Sequence, residues 1–128
     1  EIVGRLSATA FSARSSVLAV ADLLDDLLAT DPENAEAISH VELAAGRAQA
    51  SVAAQVLAAT NELFEVGGAS IVAEETALDR HWRNARVLAV HNPINQKLRA
   101  IGDHLLNGTD LPYAWSAGVR NSAESTGE

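Results

Sequence analysis

The sequence predicts an all-α fold, an up-down helical bundle, on three observations. Apolar residues recur at spacings of three and four, strand-like alternation of useful length is absent, and Ala, Leu and Val make up most of the apolar content. Ala has the highest helix propensity and takes little space, so such helices can approach closely. With 128 residues, 48% of them hydrophobic and only 4% aromatic, the chain is enough for one domain with a real core.

The first helix carries its seam on Ile2, Leu6, Thr9, Ala13, Val17, Val20, Leu24 and Leu27 and should stop near Thr30. Asp22, Asp25 and Asp26 near its end read as a solvated face. Asp31-Pro32 is expected to start the second helix, with Asp31 as N-cap and Pro32 at the first helical position. Its stripe runs through Ile38, Val41, Ala45, Ala48, Val52, Val56, Ala59, Leu63 and Val66 until Gly67-Gly68 break it. Small residues crowd the middle, from Ala44 to Ala54, and suit a tight bundle.

Residues 70–76 read as a connector or a single turn, followed by a third helical stretch from Leu78 to Val90. Asn92-Pro93 interrupts it, because a proline disfavours the helical conformation at the residue before it. A fourth helix is expected from Ile94 to Leu106, closed by Asn107-Gly108 as a left-handed C-cap. The bundle is assigned to residues 1–108 and a flexible tail to residues 109–128, where periodicity is lost.

The net charge of −8 weighs against nucleic acid and against an anionic membrane surface as partners, since both need clustered Lys and Arg. Zero Cys removes disulfides, thiolate nucleophiles and zinc–thiolate sites, and fits a cytoplasmic setting. No apolar run approaches the roughly 18 residues of a membrane span. The chain begins with Glu1 and contains no Met, so it is expected to be a fragment or a processed chain.

Four His occur, at 40, 81, 91 and 104, none at a convincing metal spacing. Glu36 and His40 share a helix face, but no second Glu-plus-His pair completes a dinuclear site, so no metal is expected. The sequon Asn107-Gly108-Thr109 is better explained by the helix cap. Asp79 to Arg86 places Arg80, Arg83, Arg86 and Trp82 within one short stretch of an acidic protein. Such a cluster suits a phosphate, and it also suits ion pairs with Asp79, Glu74 or Glu75, the reading composition alone favours. His91 stands at a helix end before Pro93. It either caps helix carbonyls or points into a cleft as an acid or base near neutral pH.

Taken in order, Glu65-Val66-Gly67-Gly68-Ala69, then Leu78 to Arg86, then His91-Asn92-Pro93, then Ile101-Gly102-Asp103-His104-Leu105-Leu106-Asn107-Gly108 form a combined pattern. It resembles the C-terminal helical domain of the dibenzothiophene and sulfone monooxygenase branch of the acyl-CoA dehydrogenase superfamily. The matching stretch runs from about Leu63 to Gly108. In dehydrogenases proper, a Tyr-Glu-Gly-Thr segment supplies the catalytic Glu, whereas here the positions read His91-Asn92-Pro93-Ile94. A carboxamide has no useful basicity, so Asn92 does not replace that base.

The resemblance implies a two-component flavin monooxygenase. Reduced flavin, FMN delivered by a separate reductase (FAD the alternative), reacts with O2 and oxygenates a small hydrophobic or organosulfur substrate. It implies a cytoplasmic homotetramer whose N-terminal helical and middle β-domains lie outside this chain, so the chain alone would be inactive. His91 is implied as the catalytic residue that stabilises or protonates the oxygenated flavin. Gly67, Gly68, Asn92 and Arg83 are implied as cofactor-binding. The alternatives are an FAD-dependent acyl-CoA dehydrogenase and a non-catalytic helical oligomerisation module.

Overall fold

The computed structural model describes residues 1–91 and 93–111. Among the described residues four α-helices carry the fold: α1 (Ile2–Thr30), α2 (Ala35–Glu62), α3 (Asp79–His91) and α4 (Ile94–Asn107). Three short 3-10 turns, Leu63–Val66, Ala69–Val72 and Glu74–Thr76, connect α2 to α3. No strand occurs among the described residues, and the fold is all-α as the periodicity predicts. The expected tail from residue 112 onward lies outside the described residues.

The α1–α2 connection departs from expectation for a stereochemical reason. Pro32 pushes the preceding residue out of the helical region, and Asp31 is extended at φ −146°, ψ 92°. Asp31 Oδ1 accepts from the Glu33 N–H at 3.2 Å, forming a local turn rather than a helix cap. Asn34 takes the capping role, its side-chain oxygen accepting from the Ala37 N–H at 2.9 Å. Helix α2 therefore starts at Ala35, and Pro32 stays outside it.

At its other end α2 stops at Glu62, before the glycines. The chain tightens into the turn at Leu63–Val66, so Gly67 and Gly68 follow a 3-10 turn instead of closing an α-helix. Gly67 is at φ −149°, and Gly68 at φ 35°, ψ −173°, a region essentially open only to glycine. Thr76 Oγ1 ties the connector together by donating to the carbonyls of Ile71 and Ala73, each at 2.7 Å. Ala77 then adopts the left-handed conformation at φ 48° to launch α3.

Helix α2 is the spine: α1, α3 and α4 all pack on it. Arg5 near the start of α1 pairs with Glu62 at the end of α2, so the two long helices run antiparallel. Along α4, Lys97 meets Gln49 and Ile101 meets Gly46, so α4 also runs antiparallel to α2. Helix α4 ends as expected, on Gly108 in the left-handed region at φ 70°, with its N–H donating to the His104 carbonyl at 2.9 Å.

The core is thinner than the composition suggests. Leu27 is the one hydrophobic residue counted as buried among those described, and Gly46 is the other buried position. The α1 seam is also rotated relative to expectation. Ser16 and Leu23 are half-buried beside Ile2, Leu6, Thr9, Ala13, Val20 and Leu27, whereas Val17 and Leu24 stay exposed. Both flanks of α1 are apolar, and packing on α2 alone covers only one of them.

Candidate functional site

A groove of about 510 Å3 opens along α2 between α1 and α3. Its walls are Val17 and Val20 from α1 and Ala85, Leu88 and Ala89 from α3. The floor is the small-residue stretch of α2, from Ala45 to Val56. Two lining residues are polar, Gln49 and His91. The volume lies in the range of small-molecule sites, which are mostly apolar with a few placed polar groups.

His91 is the last residue of α3 and is exposed at the groove rim. Its place follows from the sequence: Pro93 cannot continue α3, so the helix stops and α4 restarts at Ile94. Gln96 and Lys97 N–H groups then donate to the Pro93 carbonyl, at 3.1 and 3.4 Å. The structure thus places His91 at the helix end and on the groove rim, with no side-chain hydrogen bond to a helix carbonyl among the described residues. Asn92 lies outside the described residues.

The Arg cluster is divided. Arg83 Nε donates to Asp79 Oδ2 at 2.7 Å across one turn of α3, the internal pairing that composition alone favours. This hydrogen bond, with the guanidinium charge, holds the Asp79 carboxyl below its ordinary value. Both partners are largely exposed, so the pair adds little to stability. Arg80 and Arg86 are exposed and take part in no ion pair among the described residues. Gly67 is half-buried, and a Cβ there would stand 3.3 Å from Ile71 Cδ1. Gly68 has open space where a side chain would be. The structure brings His91 to the groove but does not line it with Gly67, Gly68 or Arg83.

Gln49 is the polar groove residue that the sequence did not single out. It sits on the α2 floor, and its Oε1 accepts from Lys97 Nζ of α4. It is one of two Gln in the Ala-rich α2, and no local pattern sets it apart from Gln55. Among the described residues, no group of three His, Cys, Asp or Glu stands close enough to hold a metal, and no helix is long and apolar enough to cross a membrane. His40 and Glu36 are both exposed at the start of α2.

Comparison with known proteins gives the fold and site a family. Over 65 residues the chain is 37% identical to a probable FMNH2-dependent monooxygenase of Pseudomonas putida, an alignment covering 51% of this chain and 16% of that protein. It is 36% identical over 67 residues to the dibenzothiophene monooxygenase of Mycolicibacterium goodii, covering 52% of this chain and 16% of that protein. The dibenzothiophene monooxygenase of Rhodococcus erythropolis is 41% identical over 46 residues, 36% of this chain and 11% of its own length. No solved structure matches. The family model for the acyl-CoA dehydrogenase C-terminal domain matches residues 2–96, taking in α1, α2, α3 and the junction after His91. With that match spanning most of an all-α chain, the protein belongs to the acyl-CoA dehydrogenase C-terminal domain family.

Proposed function

We propose that this chain is the C-terminal helical part of a flavin-dependent monooxygenase that uses reduced flavin and O2 to oxygenate a small hydrophobic or organosulfur substrate. The observation that carries the reading is His91 at the rim of an apolar groove, followed in sequence by Asn92 where a dehydrogenase base would be Glu. A dehydrogenase needs a carboxylate to take a proton, and a carboxamide does not supply one. The relatives named as FMNH2-dependent and dibenzothiophene monooxygenases support the oxygenase direction.

The proposed cofactor is FMN, reduced by a separate reductase, and FAD is the alternative. The residues of this chain fit a flavin in two respects. Arg80 and Arg86 present exposed guanidinium groups outside any ion pair among the described residues, suited to a phosphate. Gly68 exposes its backbone with nothing in the space of a Cβ, which lets a flat ring or a phosphate come close. Gly67, Gly68, Asn92 and Arg83 are proposed to contribute to the cofactor's surroundings. Bound flavin would supply the oxygen-activating redox chemistry. His91 would hold or deliver a proton at its imidazole.

Assembly into a homotetramer belongs to the same proposal. Phe11, Leu18, Leu28, Leu88 and Leu106 are exposed, far more apolar surface than the four packed helices need to show water. The chain supplies only part of a site, so on its own it is expected to retain no stoichiometric FMN and to oxidise nothing. In the longer protein, His91→Ala should lower reductase-coupled substrate oxygenation by about 10²- to 10⁴-fold, the usual range for a positioned acid or base. Helical circular dichroism should be unchanged. Full activity in that variant would instead favour the non-catalytic oligomerisation module.

A further inference from the structure

We infer that Gln49 and Lys97 form a positioning pair that anchors the start of α4 to α2 and so fixes His91 at the groove rim. The inference rests on the reading of His91 given above. The junction between α3 and α4 is a helix break at Pro93, and a break of this kind leaves the two helices free to change their relative angle unless something outside it holds them. Lys97 stands one turn beyond Pro93, with its backbone N–H on the Pro93 carbonyl. Its ammonium donates to Gln49 Oε1 on α2. One turn further, Ile101 lies against Gly46, where a Cβ would come within 3.1 Å of Ile101 Cδ1. Helix α4 is therefore seated on α2 at two successive points, a polar one next to the break and an apolar one behind it.

The chemistry of the pair also decides how Gln49 is turned. An ammonium has three donors and no acceptor, so the Gln49 carbonyl oxygen must be the atom facing Lys97. Lys97 approaches from the α4 side, where it shares a small cavity with Glu42, Ala45, Gly46 and Ile101. Gln49 meanwhile lines the main groove together with His91. Its amide N–H2 is the end not taken by Lys97, a hydrogen-bond donor left for the groove that holds His91. The Lys97–Gln49 hydrogen bond thus links a residue of the small cavity to a residue of the main groove.

The test uses the whole 128-residue chain, with ring 1H–13C spectra of its His residues. Lys97→Met keeps much of the stem but removes the charge, and Gln49→Leu removes the amide. Both should move the His91 ring resonance while leaving that of His40, at the far start of α2, in place. Lys97→Arg and Gln49→Glu keep a donor facing an acceptor and should restore the parent His91 position. These two also guard against loss of fold, which circular dichroism would report. In the longer protein, the first two variants should lower kcat on the order of tenfold or more with KM little changed, the pattern of a displaced group rather than a lost binding contact. A His91 resonance unmoved in both Lys97→Met and Gln49→Leu overturns the pair. That readout needs no flavin, so it is separate from the His91→Ala assay that decides the oxygenase reading.

Discussion

In the α1–α2 hairpin, helices of 29 and 28 residues close on each other, and Leu27 is buried between them. In the arm formed by α3 and α4, helices of 13 and 14 residues lie on α2 without a buried residue of their own. The hairpin is held by long apolar contact and by the Arg5–Glu62 ion pair at its open end. The arm is held by the close approach at Gly46, the Lys97–Gln49 hydrogen bond and the Ala faces of α3. The difference teaches where stability and chemistry reside. His91 and Arg83 of the implied site are on the arm, the more lightly packed part, where local opening costs less free energy. Gln49, which steadies it, belongs to the hairpin.

The largest expected stability effect tests the hairpin. Leu27→Ala should cost about 3 kcal/mol in urea denaturation, within the range for truncating a buried Leu. Leu106→Ala, in the arm and 85% exposed, should stay within about 0.5 kcal/mol. Equal costs for the two would break the contrast. Next comes the seat of the arm. Gly46→Leu forces α4 away from α2 and should cost about 1–3 kcal/mol, with amide hydrogen exchange quickening in α4 before α1. Gly46→Ala should be nearly neutral, since about 1 kcal/mol of helix propensity offsets a contact that the flexible end of Ile101 can relieve.

A smaller effect separates the two caps considered for α2. Asn34→Ala should lose about 1 kcal/mol and Asp31→Ala less, because only the Asn34 side chain bonds a helix N–H. Thermal melts of both variants check the order. The smallest effect lies on the exposed face of α3. The Asp79 carboxyl is held below its ordinary value by its hydrogen bond from Arg83, so the folded state binds its proton less readily than the unfolded state does. That contribution is present above the unfolded carboxylate range and is lost as pH falls through the lowered folded value. Arg83→Ala should return the Asp79 titration, followed by carboxyl NMR, toward its ordinary position and flatten this acid limb.

Helix positions were legible because they are local. Spacings of three and four located all four helices, Pro93 marked the break, and Gly108 marked the final cap, each through the stereochemistry of its own few residues. Asp31 shows how local rules compete: its capping chemistry favours a helix start, but the proline after it fixes an extended backbone, and Asn34 takes over. The candidate site was legible in part. His91 stands out from its place before a proline, whereas Gln49 looks like one more polar residue on a long helix.

What only the tertiary structure decided is how the helices are turned and what they enclose together. Helix α1 is apolar on two flanks, so its periodicity leaves its rotation open, and packing on α2 selects the side with Ser16 and Leu23 over Val17 and Leu24. The groove needs walls from α1 and α3 and a floor from α2, residues far apart in the chain, and no local pattern encodes their meeting. The Lys97–Gln49 pair has the same origin, joining residues 48 positions apart. The sequence by itself determined which segments are helical and where the chain must break. The close approach that Gly46 permits determined how the arm lies on the hairpin, because contact between helices depends on which faces can come together and not on either helix alone.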